Sequence, residues 1–312
     1  MANTYYKAAK ADTQAFLGDF ARFLVNDLGG FTGPGWTIID TYSSGAASPH
    51  EVPGTATDMD SLAADNAWRT NLPVTNDYII LKANGGSLFQ LGIEYQSTTV
   101  IRFILAPLGG WSTGADNADM TTAGNWGSAK VTTIDMTIVN TSITWSIVSN
   151  TTRFILFADN SPTFDWMYCG DLVDVHTGDT TSATITPYTA NVFFRSNSAL
   201  ASSASVGNKL SAVDNSTTID MFPCDFFTGN ATVGTTSGYF QDTASGEYRL
   251  IPVYLVCLTA SHVGTIGKFD GVYTTQKFAT GKGNFASLDY VWASNNASYL
   301  PIIWDWDGVT AF

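Results

Sequence analysis

Residues 77–95 have the sequence DYIILKANGGSLFQLGIEY, which indicates two β-strands and the turn between them. The segments 77–82 and 88–95 are rich in Ile, Leu, Tyr and Phe, which favour strands. Asn84-Gly85-Gly86 lies between them and tolerates the positive φ angles of a tight hairpin turn. A third strand over residues 99–105 is predicted to extend the hairpin into a meander.

A second meander is predicted because a related pattern returns over residues 142–148, 151–157 and 163–169, again with short polar turns. Arg102-Phe103-Ile104-Leu105 in the first meander has an echo in Arg153-Phe154-Ile155-Leu156 in the second. One shared tetrapeptide does not establish an internal duplication.

Further strands complete a mainly β chain. Several short strands separated by turns predict an antiparallel sandwich or barrel-like sheets rather than βαβ units. Pro252 falls within one predicted strand, where it is expected at a bulge or an edge. These strands are predicted over residues 36–40, 248–258, 265–274, 287–293 and 299–306.

One amphipathic helix is predicted near the N-terminus. Apolar residues recur at helical spacing between residues 12 and 28, and Gly29-Gly30 followed by Pro34 ends the pattern. The apolar stripe has two interpretations: it packs on its own domain, or it docks on a neighbouring subunit. The candidate docking residues are Phe16, Phe20, Phe23 and Leu24.

Composition divides the chain into three segments. Residues 1–35 hold the helix and docking segment, residues 36–195 a β domain with two meanders, and residues 196–312 a C-terminal β region. The boundary near residue 196 rests on the Ser- and Ala-rich stretch 196–213. The length of 312 residues also fits one large β domain.

Two long loops are predicted, over residues 43–65 and 109–130. Indole rings combine a large apolar area with one hydrogen-bond donor, so tryptophans near turns are candidates for subunit or ligand contacts. Core packing and glycan stacking are the alternatives for these rings. The candidates are Trp111, Trp126, Trp304 and Trp306.

The charge of the chain excludes several partners. The formal net charge of −13 is not offset by any Lys/Arg cluster, so a nucleic-acid partner is not expected. No apolar span reaches the roughly 20 residues that a membrane helix needs, and no signal peptide is apparent, so we expect synthesis in the cytoplasm without membrane insertion. Charged residues make up only 13% of the chain, a low proportion typical of proteins that work outside cells.

No catalytic motif in the chain has the surrounding sequence that its function requires. Gly110-Trp111-Ser112-Thr113-Gly114 matches the G-x-S-x-G string of hydrolases, but residues 115–125 have no helical period to form the required helix. His50, His176 and His262 stand in no metal-ligand spacing. The chain has no phosphate-binding glycine motif, and its three glutamates make a glycosidase carboxylate pair a weak alternative.

No cofactor is expected, although calcium stays open as a bound ion. Asp58-Met59-Asp60 and Asp305-Trp306-Asp307-Gly308 resemble fragments of calcium loops without the later ligands. Cys169, Cys224 and Cys257 form no C-x-x-C pair and lie in apolar surroundings, which predicts reduced core residues.

Two C-terminal stretches carry a resemblance to a known class of proteins. Residues 246–255 (GEYRLIPVYL) and 267–273 (GKFDGVY) resemble the C-terminal region of virion structural proteins of tailed bacteriophages. The N-terminal helix leading into Gly35-Trp36-Thr37 is similar to the opening of those proteins. The resemblance covers about a quarter of the chain and implies virion membership without any catalytic residue.

The leading hypothesis is therefore a non-enzymatic structural component of a tailed phage virion, of the collar, baseplate or tail-tip type. Its expected partners are identical subunits and other virion proteins, and its expected location is the virion. The alternative is a receptor- or glycan-binding adhesin, in which Trp111, Trp126 and the Asp-rich loops contact a host surface glycan or receptor. A hydrolase is the weaker third hypothesis.

Overall fold

The computed structural model describes the strands and helix of the chain together with some of the turns between them. The described residues are 4–10, 13–42, 50–51, 73–85, 90–106, 110–112, 120, 123–126, 132–137, 143–160, 163–173, 191–196, 221–224, 241–242, 247–248, 251–259, 262–274, 290–295 and 298–303.

The N-terminal half of these residues contains one α-helix, one 3-10 turn at Ala123–Trp126 and ten strands. The helix is α1 (Thr13–Leu24), and the strands are β1 (Thr4–Lys10), β2 (Thr37–Tyr42), β3 (His50–Glu51), β4 (Tyr78–Lys82), β5 (Gln90–Ser97), β6 (Val100–Ala106), β7 (Thr132–Thr137), β8 (Ile143–Ser149), β9 (Arg153–Asn160) and β10 (Thr163–Val173).

The described C-terminal residues form eight further strands. They are β11 (Asn191–Ser196), β12 (Met221–Cys224), β13 (Gln241–Asp242), β14 (Glu247–Tyr248), β15 (Ile251–Thr259), β16 (His262–Thr274), β17 (Tyr290–Asn295) and β18 (Ser298–Ile303).

Two large antiparallel sheets organise these strands. The six-stranded sheet has the order β3-β2-β4-β5-β6-β7. The ten-stranded sheet follows the path β1-β8-β9-β10-β16-β15-β12, with β11, β17 and β18 off this path. Both predicted meanders are confirmed, as β4-β5-β6 and as β8-β9-β10. The mainly β, antiparallel fold class is therefore confirmed.

Helix α1 and the inner faces of both sheets form one hydrophobic core. Phe16 stacks on Trp145 of β8, with ring centroids 3.6 Å apart. Phe20 meets Phe103 of the six-stranded sheet and Phe154 of the ten-stranded sheet edge to face. Because the aromatic stripe contacts both sheets, the helix is an internal part of this core.

Several strands were not predicted from the sequence. β1 contains two lysines and two alanines, which are poor strand formers, yet it pairs with β8 along its whole length. His50–Glu51, within the loop predicted over residues 43–65, pairs with β2, and the rest of that predicted loop lies outside the described residues. β7, β11, β12 and β13 were missed as well. Backbone pairing with a neighbouring strand outweighs weak local propensity here.

Two smaller expectations concern the C-terminal strands. Pro252 lies at a register shift between β15 and β16, which confirms the predicted bulge. β10 pairs with both β11 and β16, so the ten-stranded sheet continues past residue 196. The domain boundary there stays a prediction. Within the described residues, no helix has the length and apolar character needed to cross a membrane.

Candidate functional site

The predicted contact residues Trp111 and Trp126 lie together on the outer face of the six-stranded sheet. Their ring centroids are 5.0 Å apart in an edge-to-face arrangement. Tyr78 of β4 meets Trp111 in the same way, at 5.5 Å. These rings pack with Ile80, Ile104 and Met120 in a second, smaller hydrophobic cluster. We call this cluster the outer aromatic layer.

Both indole donors of the outer aromatic layer bond within the chain. Trp111 Nε1 donates to the Oδ2 atom of buried Asp40, at 2.7 Å. Trp126 Nε1 donates to the Met120 carbonyl oxygen, also at 2.7 Å. Burial, with the charges of Asp40, Tyr42 and Glu94 nearby, raises the pKa of the Tyr78 hydroxyl well above its usual range.

Of the roles left open for these two tryptophans, their burial favours core packing over an open contact face. Trp111 is 5% exposed and Trp126 is 0% exposed, because both rings pack in the cluster with Tyr78 and Ile80. Trp304 and Trp306 lie outside the described residues, so their contact role stays a prediction.

The predicted docking residues of helix α1 are likewise internal. Phe16, Phe20, Phe23 and Leu24 are all fully buried in the core of their own chain. Of the two interpretations of the stripe, the structure therefore shows packing on the same domain, and these four side chains offer no surface to a partner. The stripe packs internally because it is wide enough to meet both sheets at once.

Among the described residues, the remaining candidates for chemistry are not assembled into a site. Ser112 is exposed, and its backbone N–H donates to the Asn125 carbonyl oxygen at 2.7 Å. His50 lies in β3 and His262 begins β16, while His176 and both Asp-rich calcium-like segments lie outside the described residues. Within the part of the chain that is described, no group of three His, Cys, Asp or Glu side chains could hold a metal ion.

A polar junction that the sequence did not predict lies at the turn between β8 and β9. Asn150 orders this turn, because its Oδ1 atom accepts hydrogen bonds from the Thr152 backbone N–H and hydroxyl, both at 2.8 Å. The same oxygen accepts from the Arg153 N–H at 3.1 Å. An asparagine that bonds its backbone two residues ahead is a common turn device.

The Arg153 side chain is fully buried and is paired with Asp270 of β16. Its Nε atom donates to Asp270 Oδ2 at 3.0 Å, and Asn150 Nδ2 donates to the same oxygen at 3.2 Å. The Asp270 N–H donates to the Tyr168 hydroxyl oxygen, at 3.2 Å. The Tyr168 hydroxyl donates in turn to the Asp171 carbonyl. A buried arginine needs such a partner, because an isolated buried charge is costly.

Two glycines make room for this arginine. Gly170 has φ +140°, and a side chain there would overlap the Arg153 Cα and Cβ atoms. Gly271 has φ +76°, and a Cβ atom there would lie 2.6 Å from Arg153 Nη2. Both positions therefore need glycine for its conformation and for the close approach.

The same turn is bonded to the six-stranded sheet. Trp36 Nε1, just before β2, donates to the Asn150 carbonyl oxygen at 2.8 Å. The Gly85 N–H, just after β4, donates to the Thr151 carbonyl oxygen, also at 2.8 Å. We call this set the Arg153 junction: Trp36, Gly85, Asn150, Thr151, Thr152, Arg153, Tyr168, Gly170, Asp270 and Gly271. It connects both sheets with the C-terminal strand β16.

Arg102, which occupies the position of Arg153 in the first meander, forms a different kind of ion pair. Arg102 forms a bidentate pair with Asp135 of β7, through Nε to Oδ1 at 2.7 Å and Nη2 to Oδ2 at 3.0 Å. Its Nη1 atom lies 3.7 Å from Glu94 Oε2. The Arg102 side chain is 24% exposed, whereas that of Arg153 is 0% exposed. The shared tetrapeptide therefore begins with a surface pair in one meander and a buried pair in the other.

The chemistry of the Arg153 junction is structural. Its arginine and carboxylate neutralise each other, and its hydroxyl and amide groups bond within the chain. Nearby Cys169 is a buried free thiol whose pKa is raised by burial and by the charge of Asp171, which disfavours the reactive thiolate. A sequence signal for the junction existed in the polar turn Asn150-Thr151-Thr152 and in Asp270-Gly271, but their proximity depends on the sheet order.

Comparison with known proteins does not assign the chain to a family. No family model matches the sequence, and no curated protein matches it either.

Proposed function

We propose that the chain is a non-enzymatic structural component of a tailed phage virion, a collar, baseplate or tail-tip type module that assembles with identical copies and other virion proteins. The assembly part of the proposal rests on the edge position and the sequence of strand β7. β7 is the last strand of the six-stranded sheet, and in the described residues it pairs only with β6.

The edge of β7 lacks the features that prevent an edge strand from pairing with a strand of another chain. An edge strand presents backbone N–H and C=O groups to any other strand, and monomeric proteins blunt such edges with lysine, proline or bulges. The sequence of β7, TTIDMT, contains neither lysine nor proline, and its register with β6 is regular. Its one charge, Asp135, is matched by Arg102. This combination favours pairing with another strand.

The first strand of the ten-stranded sheet differs in this respect. β1 carries Lys7 and Lys10, of which Lys10 is ion-paired with Asp19, and lysine on an edge discourages pairing between chains. β3, at the other end of the six-stranded sheet, is only two residues long. We therefore assign the contact to β7, with an identical copy as its partner, since soluble oligomers are mostly closed and symmetric.

The assignment to a phage virion rests on the sequence. Residues 246–255 and 267–273 resemble C-terminal regions of tailed-phage structural proteins, and the low charge content suits a protein that works outside cells. The adhesin alternative receives less support, because the tryptophans proposed for its binding face, Trp111 and Trp126, are buried and have their nitrogen donors engaged.

Proline substitution in β7 tests the assembly contact. Adjacent N–H groups of a strand point to opposite sides, so of Thr132→Pro and Thr133→Pro one interrupts the ladder to β6 and the other blocks the outer edge. The edge-blocking variant is expected to keep the wild-type circular dichroism spectrum and to lose the oligomeric mass in light scattering. Thr133→Lys adds charge to the edge without changing the backbone and should act in the same direction. Folded variants that all retain the wild-type mass would contradict a β7 contact.

A further inference from the structure

The strands at the C-terminal end of the ten-stranded sheet pair mainly with one another. We call β12, β15, β16, β17 and β18 the C-terminal module. β15 and β16 pair along most of their length, and β12 and β18 add to their edges. In the described residues, the ladder between the module and β10 consists of Leu172 opposite Phe269 and Val173 opposite Lys268. Within the described residues, the backbone ladder between the module and the preceding strands is therefore two residue pairs long.

Side chains of the Arg153 junction reinforce this short ladder. Arg153 Nε and Asn150 Nδ2 both donate to Asp270 Oδ2, and the Tyr168 ring meets Phe269 edge to face at 4.9 Å. Arg153 lies on the side of the preceding strands, whereas Asp270 belongs to the module. The Arg153 side chain is 0% exposed, while that of Asp270 is 36% exposed. The carboxylate is thus the part of the pair that water can reach.

The backbone of the turn that carries Arg153 is also held by bonds that do not involve the module. Asn150 Oδ1 fixes the turn from within, and Trp36 and Gly85 bind its carbonyl oxygens from the six-stranded sheet. These bonds fix the backbone of the turn, and Arg153 Nη1 also donates to the Val148 carbonyl oxygen at 3.4 Å, so the turn keeps its shape when Asp270 moves away. A buried arginine without its carboxylate is strongly unfavourable, so the same arrangement drives the module back into place.

We propose that the C-terminal module undocks from the preceding strands and redocks as one unit, and that the Arg153–Asp270 pair is the latch that holds it closed. This device is separate from the β7 contact and does not rest on the virion assignment. Opening frees the edge of β10 at Leu172–Val173 for another strand, which gives the chain a second, conformationally controlled edge.

Hydrogen exchange of the full-length protein, followed by mass spectrometry, tests the latch. The variant is Asp270→Asn. The matched control is Asp135→Asn, which removes the carboxylate of the partly exposed Arg102–Asp135 pair. Asp270→Asn is expected to accelerate exchange across residues 251–274 by about tenfold or more, since bonds to charged groups are worth that much. Exchange in β4–β6 and β8–β9 should stay at the wild-type rate. Asp135→Asn should leave the exchange rates of residues 251–274 at their wild-type values.

The wild-type protein provides a second test that needs no variant. Exchange measured at rising sub-denaturing urea should show residues 251–274 opening together, at a lower free energy than β8 and β9. Opening of β8, β9 and β16 in one common transition would overturn the proposal. Wild-type rates across residues 251–274 in a folded Asp270→Asn variant would also overturn it.

Discussion

The Trp36 indole nitrogen lies 2.8 Å from the Asn150 carbonyl oxygen, and this hydrogen bond joins the start of the six-stranded sheet to the central turn of the ten-stranded sheet. Both residues are buried, and the Trp36 ring also packs against Phe154. The turn that holds Arg153 thus depends on a residue more than a hundred positions away in sequence. The two sheets share this polar connection as well as their hydrophobic core.

Removing the indole donor should weaken the joint between the sheets. Trp36→Phe is expected to lower the free energy of unfolding by about 2–4 kcal/mol, from a lost buried hydrogen bond and a small cavity. Urea denaturation followed by circular dichroism measures the change. Trp145→Phe is the matched control, because Trp145 is equally buried and its Nε1 atom has no hydrogen-bond partner in the structure. Equal losses in the two variants would show that the Trp36 bond adds nothing.

Alanine at Gly170 should be severely destabilising. Its left-handed backbone and the overlap of a Cβ atom with Arg153 together cost about 3 kcal/mol or more. Gly29→Ala is the control, since a Cβ atom there meets nothing within 4 Å. Thermal unfolding should show a marked drop in Tm for Gly170→Ala and little change for Gly29→Ala. A Gly170→Ala protein as stable as the wild type would contradict the close packing of Arg153.

High pH should unfold the protein as its buried tyrosines ionise. Burial raises the pKa of Tyr6, Tyr78 and Tyr168 in the folded state, with Asp19 adding to the effect at Tyr6 and Asp40 at Tyr78. The unfolded chain loses these protons near pH 10, so the stability they provide is complete below about pH 10 and falls as the pH rises above it.

Absorbance at 295 nm and circular dichroism, recorded over the same alkaline titration, check this expectation. A group of tyrosines should ionise only together with unfolding. Phenolate formation by every tyrosine near pH 10 in a protein that keeps its native spectrum would contradict the burial of these hydroxyls.

Cys169 should be unreactive in the native protein. Its thiol is fully buried in the core, and its pKa is raised, so little thiolate is present at neutral pH. Iodoacetamide labelling with peptide mass spectrometry should modify Cys169 only after denaturant is added. Rapid labelling under native conditions would show that the core around β10 is open.

Local sequence signals were sufficient to predict the two meanders and the helix. Continuous apolar strands flanked by turn residues, such as residues 77–95, and the helical stripe around Phe20 are determined within short windows of sequence. β1 escaped prediction because its seven residues gain stability from pairing with β8, which lies more than a hundred residues away. Local propensity carries no information about such a partner.

The candidate site was harder to predict than the fold. Trp111 and Trp126 were recognised as notable, but their burial depends on packing against Tyr78 and Ile80 of β4 and on Asp40 accepting the Trp111 indole hydrogen bond. Arg153 was noticed only as part of a repeated tetrapeptide. Its importance arises from Asp270, which the sheet order brings beside it across a separation of 117 residues.

The mass of the purified full-length protein in solution tests the assembly proposal most directly. Size-exclusion chromatography with light scattering measures this mass, and electron microscopy of the same peak shows the particles. We predict a mass of two or more whole multiples of 33.4 kDa and discrete, symmetric particles. A strict 33.4 kDa monomer of fixed shape at every concentration tested would contradict the proposal that this chain is an assembling structural component.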